Sequence, residues 1–138
     1  MIEYNSCLLV TRHKLLPLQE NDIQNICKDV HLTYELETDQ RKLLEHIKPY
    51  DAIIGVIPLP LQVQILGNGK ALIIFAMRSI GTVDSKEDAE YLASKYPERA
   101  TILPPSREGE KYRVVLYEGL KKIKEIKVID EWIVQHQS

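Results

Sequence analysis

The residues best suited to chemistry fall in two short polar breaks, each following an apolar run. Thr11-Arg12-His13 follows Ser6 to Val10, and Arg78-Ser79-Ile80-Gly81-Thr82 follows Ala71 to Met77. Arginine presents a planar fork of N–H donors that matches a phosphate or a carboxylate, and serine and threonine hydroxyls add further hydrogen bonds. Histidine, with an ordinary pKa of about 6.5, takes or gives a proton near neutrality. These residue types together describe a site for an anionic ligand. Arg12, His13 and Arg78 are the candidate catalytic groups, and Thr11, Pro58, Leu59, Gln62, Ser79, Gly81, Thr82 and Arg107 are the candidate ligand contacts.

Each of these has a plainer reading beside it. Arg12 and Arg78 also suit surface ion pairs, which contribute little, and His13 suits a solvated loop. Lys121, Lys122, Lys124 and Lys127 form either a phosphate-binding ridge or, more simply, a solvated strand face. Other chemistries lack their signals. There is no GxGxxG, no GxxxxGK[ST] and no GxSxG. His31, His46 and His136 have no regular ligand spacing with one another or with the cysteines, so neither a metal nor another cofactor is expected. Cys7 and Cys27 are too few for a disulfide framework and read as small buried hydrophobes.

The elements that must position these residues alternate along the chain. Ser6 to Val10, Asp51 to Ile57 and Ala71 to Met77 are apolar runs of the kind buried on both faces of a sheet. Leu32 to Leu36 suits an edge strand. Between them lie helical patterns: Ile23, Ile26, Cys27 and Val30 with Asn21 as N-cap, Leu43, Leu44 and Ile47 after Thr38, and Leu61 to Ile65 closed by Gly67-Asn68-Gly69. A fourth helix carries Ala89, Leu92, Ala93 and Tyr96 behind a Ser85 cap. Tyr112 to Tyr117, a Glu118-Gly119 turn signal and the Lys-rich tail through Trp132 predict a C-terminal hairpin. The expected class is therefore α/β, Rossmann-like, with a mostly parallel sheet, flanking helices and a C-terminal β-hairpin addition. In such a sheet ligands bind beyond the carboxyl ends of the strands where strand order reverses, the edge on which Thr11 to His13, Pro58 to Gln62 and Arg78 to Thr82 are expected to meet.

Composition bounds the rest. With 138 residues and 44% hydrophobic content the chain suits one domain, residues 1–138, with a real core. No apolar run approaches the roughly 20 residues of a membrane-spanning helix, so no membrane partner is expected. Met1-Ile2-Glu3-Tyr4-Asn5 lacks the basic and apolar regions of a signal peptide, which predicts a cytoplasmic protein. A net charge of −2 argues against long duplex nucleic acid, which needs a broad basic face, and leaves room for a small anion held by a few cations.

Two segments carry a resemblance. The strand ending Val10-Thr11-Arg12-His13 and the later Asp51-Ala52-Ile53-Ile54-Gly55-Val56-Ile57-Pro58-Leu59-Pro60-Leu61 resemble the small CRISPR-associated accessory proteins of the Csx group. In those proteins a Ser/Thr-Arg-His follows the first strand and an Asp-apolar-apolar-Gly-x-Leu-Pro-x-x-Leu stretch forms a later one. Here Ile57 replaces the leucine and Pro60 is an added proline; the match covers residues 7 to 69.

The resemblance implies a CARF-like domain that forms a homodimer and binds cyclic oligoadenylate, the small RNA ring of type III CRISPR antiviral defence, across the dimer interface. It also implies a metal-independent ring nuclease, in which each ribose 2′-hydroxyl attacks its own 3′-phosphate in line. Arg12, with Arg78, would then stabilise charge on phosphate, His13 would act as acid or base, and Thr11 or Ser79 would orient the ring. The alternative is a module that binds or sequesters the ring without breaking it. A third possibility is that the tail around Trp132 docks onto a protein partner or a second subunit, with no nucleotide involved.

Overall fold

The unbroken apolar run Cys7-Leu8-Leu9-Val10 forms the inner part of strand β1 (Tyr4–Val10), where all four side chains are buried. The computed structural model describes residues 1–129 and 132–137, with side chains described as far as Ile126. After β1 come α1 (Pro17–Ile26), β2 (Cys27–Thr33), α2 (Gln40–Ile47), β3 (Ala52–Gly55), α3 (Leu59–Gly67) and β4 (Ala71–Val83). The chain continues through α4 (Lys86–Ser94), β5 (Ala100–Leu103), β6 (Tyr112–Ile129) and β7 (Trp132–Gln137). The strands form one sheet in the order β2-β1-β3-β4-β6-β5, with β7 also paired to β6.

Only part of this sheet is parallel. Strands β2, β1, β3 and β4 run parallel, whereas β6 pairs antiparallel with β4, β5 and β7. The expectation of a mostly parallel sheet gives way to an α/β fold with a mixed sheet and flanking helices. The antiparallel content extends well past the C-terminal hairpin of β6 and β7.

Alternation along the central strands assigns side chains to two faces. Leu8, Val10, Ile53 and Leu72 meet Leu43 and Ile47 of α2 and Leu61 and Ile65 of α3 on one face. Cys7, Leu9, Ile54 and Ile73 meet Ile23 of α1 on the other. Full burial of a leucine or isoleucine stabilises by about 1.5–3 kcal/mol, so this double-sided core fixes β1 and β3 more firmly than any surface ion pair can. Across the second face, the Tyr117 hydroxyl donates a hydrogen bond of 2.7 Å to Asp22 and ties β6 to α1. Burial, reinforced by that carboxylate, holds the Tyr117 phenol well above the usual tyrosine range.

Several local expectations are corrected. The helix read through Val30 ends at Ile26, and the chain passes directly into β2. Cys27 and Val30 fit a helical stripe by spacing, but Val30 and Leu32 equally fit the alternation of a strand, and pairing with β1 decides between them. Helix α1 starts at Pro17 with Leu16 as its cap, earlier than Asn21. Asp39, one residue after Thr38, caps α2 by accepting from the Lys42 N–H at 3.2 Å. The Ser85 cap forms as read, accepting from the Asp88 N–H at 3.1 Å. Glu118-Gly119 makes a β-bulge within β6: Ala76 pairs with Gly119 and Met77 with Tyr117, leaving Glu118 as the extra residue. Gly119 has φ +118, a conformation that a bulge uses as readily as a turn.

Cys7 and Cys27, read as unpaired, are joined in a disulfide between β1 and the start of β2, and both are buried. Trp132 opens β7, but its side chain and that of Lys127 lie outside the described residues, as does any docking role for that tail. Among the described residues no helix is long and apolar enough to cross a membrane.

Candidate functional site

Strand order reverses at β1: β2 lies on one side of it and β3 on the other, with α1 and α3 on opposite faces. The two connections therefore diverge, and a crevice opens beyond the carboxyl ends of β1 and β3. A cleft of about 520 Å³ occupies this place, lined by Thr11, His13, Lys14 and Leu15 after β1, and by Gly55, Val56 and Ile57 at the end of β3. Its size falls within the roughly 300–1,000 Å³ of ordinary small-molecule sites.

The near wall is fixed by short-range bonds. Thr11 is buried; its Oγ1 accepts from the His13 N–H and donates to the His13 carbonyl, both at 3.2 Å, while its own N–H donates to Thr33 at 3.0 Å. One side chain thus sets the path of the loop that presents His13. At the end of β3, Gly55 has φ +131, and a Cβ there would overlap the Val10 carbonyl oxygen. Glycine is required for β3 to close on β1 at this point. The buried Gln62 amide donates to the Ile57 carbonyl at 2.8 Å and holds the next loop. Gln19, also buried, accepts from the Leu16 N–H at 2.8 Å and completes the wall from α1.

The far wall comes from the antiparallel half. Strand β4 continues nine residues beyond Ile74, the last residue paired to β3, and carries Ile74, Phe75 and Met77 along the cleft. Register places Thr101 opposite Val115 and Leu103 opposite Arg113, and all four line the same cavity. The surface is mainly apolar, with hydroxyl, amide and cationic groups at its margin. Its ionisable residues are His13, Lys14 and Arg113, with no acid among the lining residues. None of these three side chains is held in an ion pair among the described residues.

Pro17 occupies the first position of α1, and Pro58 and Pro60 flank Leu59 at the start of α3. Each proline removes one of the N–H groups that a helix start leaves unpaired.

The candidate residues are only partly brought together. Thr11, His13 and Gln62 line the cleft. Arg12 points away and is ion-paired with Glu35, both well exposed. Arg78 pairs with Glu118 through Nε at 3.0 Å, and Arg107 lies in an exposed loop with Nε 4.0 Å from Glu110. Pro58 and Leu59 begin α3 without lining the cleft, although Val56 and Ile57 beside them do. Ser79, Gly81 and Thr82 lie within β4, because pairing with β6 carries that strand through the polar residues that were read as its end. Gly81 has a packing role: a Cβ there would meet Leu92 of α4 at 2.9 Å.

Lys14 and Arg113 were missed. Lys14 directly follows the selected triplet in the same polar break. Arg113 reaches the cleft through antiparallel register, for which the sequence carries no local signal. Among the described residues no group of three or more His, Cys, Asp or Glu side chains is placed to hold a metal ion. Comparison with protein-family models, curated proteins and solved structures finds no match to this chain.

Proposed function

We propose that this chain is a Rossmann-like, CARF-like module that binds cyclic oligoadenylate in the cleft beyond β1 and β3, as an accessory to type III CRISPR defence. The supporting observation is the charge of that cleft: His13, Lys14 and Arg113 line it and no acid does. Lys14 and Arg113 then contact phosphate oxygens, Thr101 offers a hydroxyl, and Phe75 with Met77 supplies an apolar surface for adenine. The ring identity comes from the resemblance of the Thr11-Arg12-His13 and Asp51 to Leu61 segments; the cationic lining of the cleft supports an anionic ligand.

Binding is the better supported reading, because Arg12 and Arg78 are engaged elsewhere and only His13 of the three candidate catalytic groups reaches the cleft. Cleavage is the second reading, favoured by His13. In it the ribose 2′-oxygen attacks phosphorus, the bond to the 5′-oxygen breaks, one proton leaves the 2′-hydroxyl for a base and another reaches the departing 5′-oxygen. The products are a 2′,3′-cyclic phosphate and a 5′-hydroxyl; in this reading His13 moves one of the two protons and solvent water the other.

Titrating the protein with cyclic tetra-adenylate and cyclic hexa-adenylate in EDTA, with chromatography of the recovered nucleotide, tests both readings. Saturable binding with the ring recovered intact supports the binding module, and linear product with a 2′,3′-cyclic phosphate supports cleavage. Neither binding nor product would reject the proposal.

A further inference from the structure

The terminal strand β2 is an open edge: it pairs with β1 on one side and with nothing on the other among the described residues. Such edges are ordinarily blunted by proline, bulges or inward charges. β2 has no proline and no bulge; of the charged residues that also blunt such edges it carries Lys28 and Asp29. It holds an unbroken register with β1 from Ser6↔Asp29 to Val10↔Thr33, and Lys28 to Leu32 are all exposed. Val30 and Leu32 are 40% and 63% exposed, large values for apolar residues within a strand. They lie opposite Cys7 and Leu9 in the register and line an apolar hollow with Leu9, Leu15 and Ile23 of the α1 face.

The polar groups on this edge are arranged to meet a second copy of themselves, a carboxylate acceptor facing an imidazole N–H donor. Antiparallel pairing about a two-fold axis at Val30 sets Asp29 of each copy opposite His31 of the other, twice, and lays the Lys28 stem along the partner's Leu32. Asp29 and His31 are exposed and held in no ion pair among the described residues. Centring on His31 would set two histidines face to face, and centring between residues would put each strand's apolar row against the opposite face of its partner. We propose that two copies join edge to edge through β2, antiparallel about Val30, so that their sheets become continuous through an isologous interface.

This arrangement does not depend on the ligand reading. Because the partner's strands run the opposite way, the two clefts lie on opposite rims of the joined sheet. Each copy then binds its own ligand, in contrast to a ring shared across the interface.

Light scattering and sedimentation on the full chain test the interface. The wild-type protein is expected at twice the 15.9 kDa of one chain. Asp29→Lys removes the carboxylate that faces His31 across the pair and should weaken association by about tenfold or more; Leu32→Asp should weaken it as well. Combining Asp29→Lys with His31→Glu sets opposite charges across the pair and should restore the dimer. Circular dichroism of each variant should match the wild type, since all three positions are exposed. A monomeric wild type, a dimer indifferent to Asp29→Lys, or a double variant that stays monomeric would overturn the proposal.

Discussion

The carbonyl oxygen of Val10 accepts a hydrogen bond from the Val56 N–H at 2.9 Å and fills the space that a Cβ on Gly55 would need. The end of β1 and the end of β3 are thereby locked to one another where the cleft begins. Gly55→Ala must move one of two buried strands and also adopt a φ of +131 with a side chain. A loss of at least about 2 kcal/mol is expected, measured as a lower urea midpoint, together with loss of ligand binding.

Tyr117 and Asp22 couple β6 to α1 through a bond of 2.7 Å. Tyr117→Phe leaves the ring packing in place, removes the donor, and should cost about 1.5–3 kcal/mol as a hydrogen bond to a charged acceptor. A pH dependence follows. The Tyr117 phenol is held above its ordinary value in the folded chain, so its contribution is complete below the unfolded tyrosine pKa of about 10. At higher pH the unfolded chain releases the proton while the folded chain keeps it, and stability falls. Urea unfolding at pH 8 and pH 11 should show a larger alkaline loss in the wild type than in Tyr117→Phe.

Arg113 and Lys14 line the cleft, whereas Arg78 and Arg107 pair with Glu118 and Glu110 outside it. Arg113→Ala should weaken binding of cyclic tetra-adenylate by about tenfold or more, the scale of one charge-assisted hydrogen bond. Arg78→Ala and Arg107→Ala should change it little. Calorimetric titration of the variants at one salt concentration checks this, and equal losses at all positions would indicate a diffuse electrostatic surface.

Gln62 is buried and donates to the Ile57 carbonyl at 2.8 Å. Gln62→Leu keeps the volume but removes that donor beside the loop of Val56 and Ile57. A cost of about 1–3 kcal/mol is expected, and thermal unfolding with bound and free protein should show that part of it is lost ligand affinity.

The elements on the parallel side were legible in the sequence because their signals are local. The runs at Cys7 to Val10 and Ala52 to Gly55 read as doubly buried strands, and the placement of Thr11 and His13 at the cleft follows from where β1 ends. The antiparallel half was less legible. Residues 112–129 form one strand, and its Gly119 carries a turn-like conformation without turning the chain. Strand β5 is four half-buried residues with no apolar alternation strong enough to announce it. Arg78 was misplaced because whether a polar residue ends a strand or rides within it depends on its partner strand, and the partner of β4 lies about forty residues away in the chain.

Strand β6 bonds to β4 along most of its length, to β5 near its start and to β7 near its end. During synthesis β5 emerges before β6, yet among the described residues β6 is its only partner strand. The far wall of the cleft therefore assembles only once β6 has been made and slotted between β4 and β5, a late and non-local step of the slow kind. Until then β4 is itself an uncovered edge, the kind of surface on which nascent chains aggregate. The near wall of the site is within reach early in translation, and the complete site comes into being only when nearly all of the chain is present.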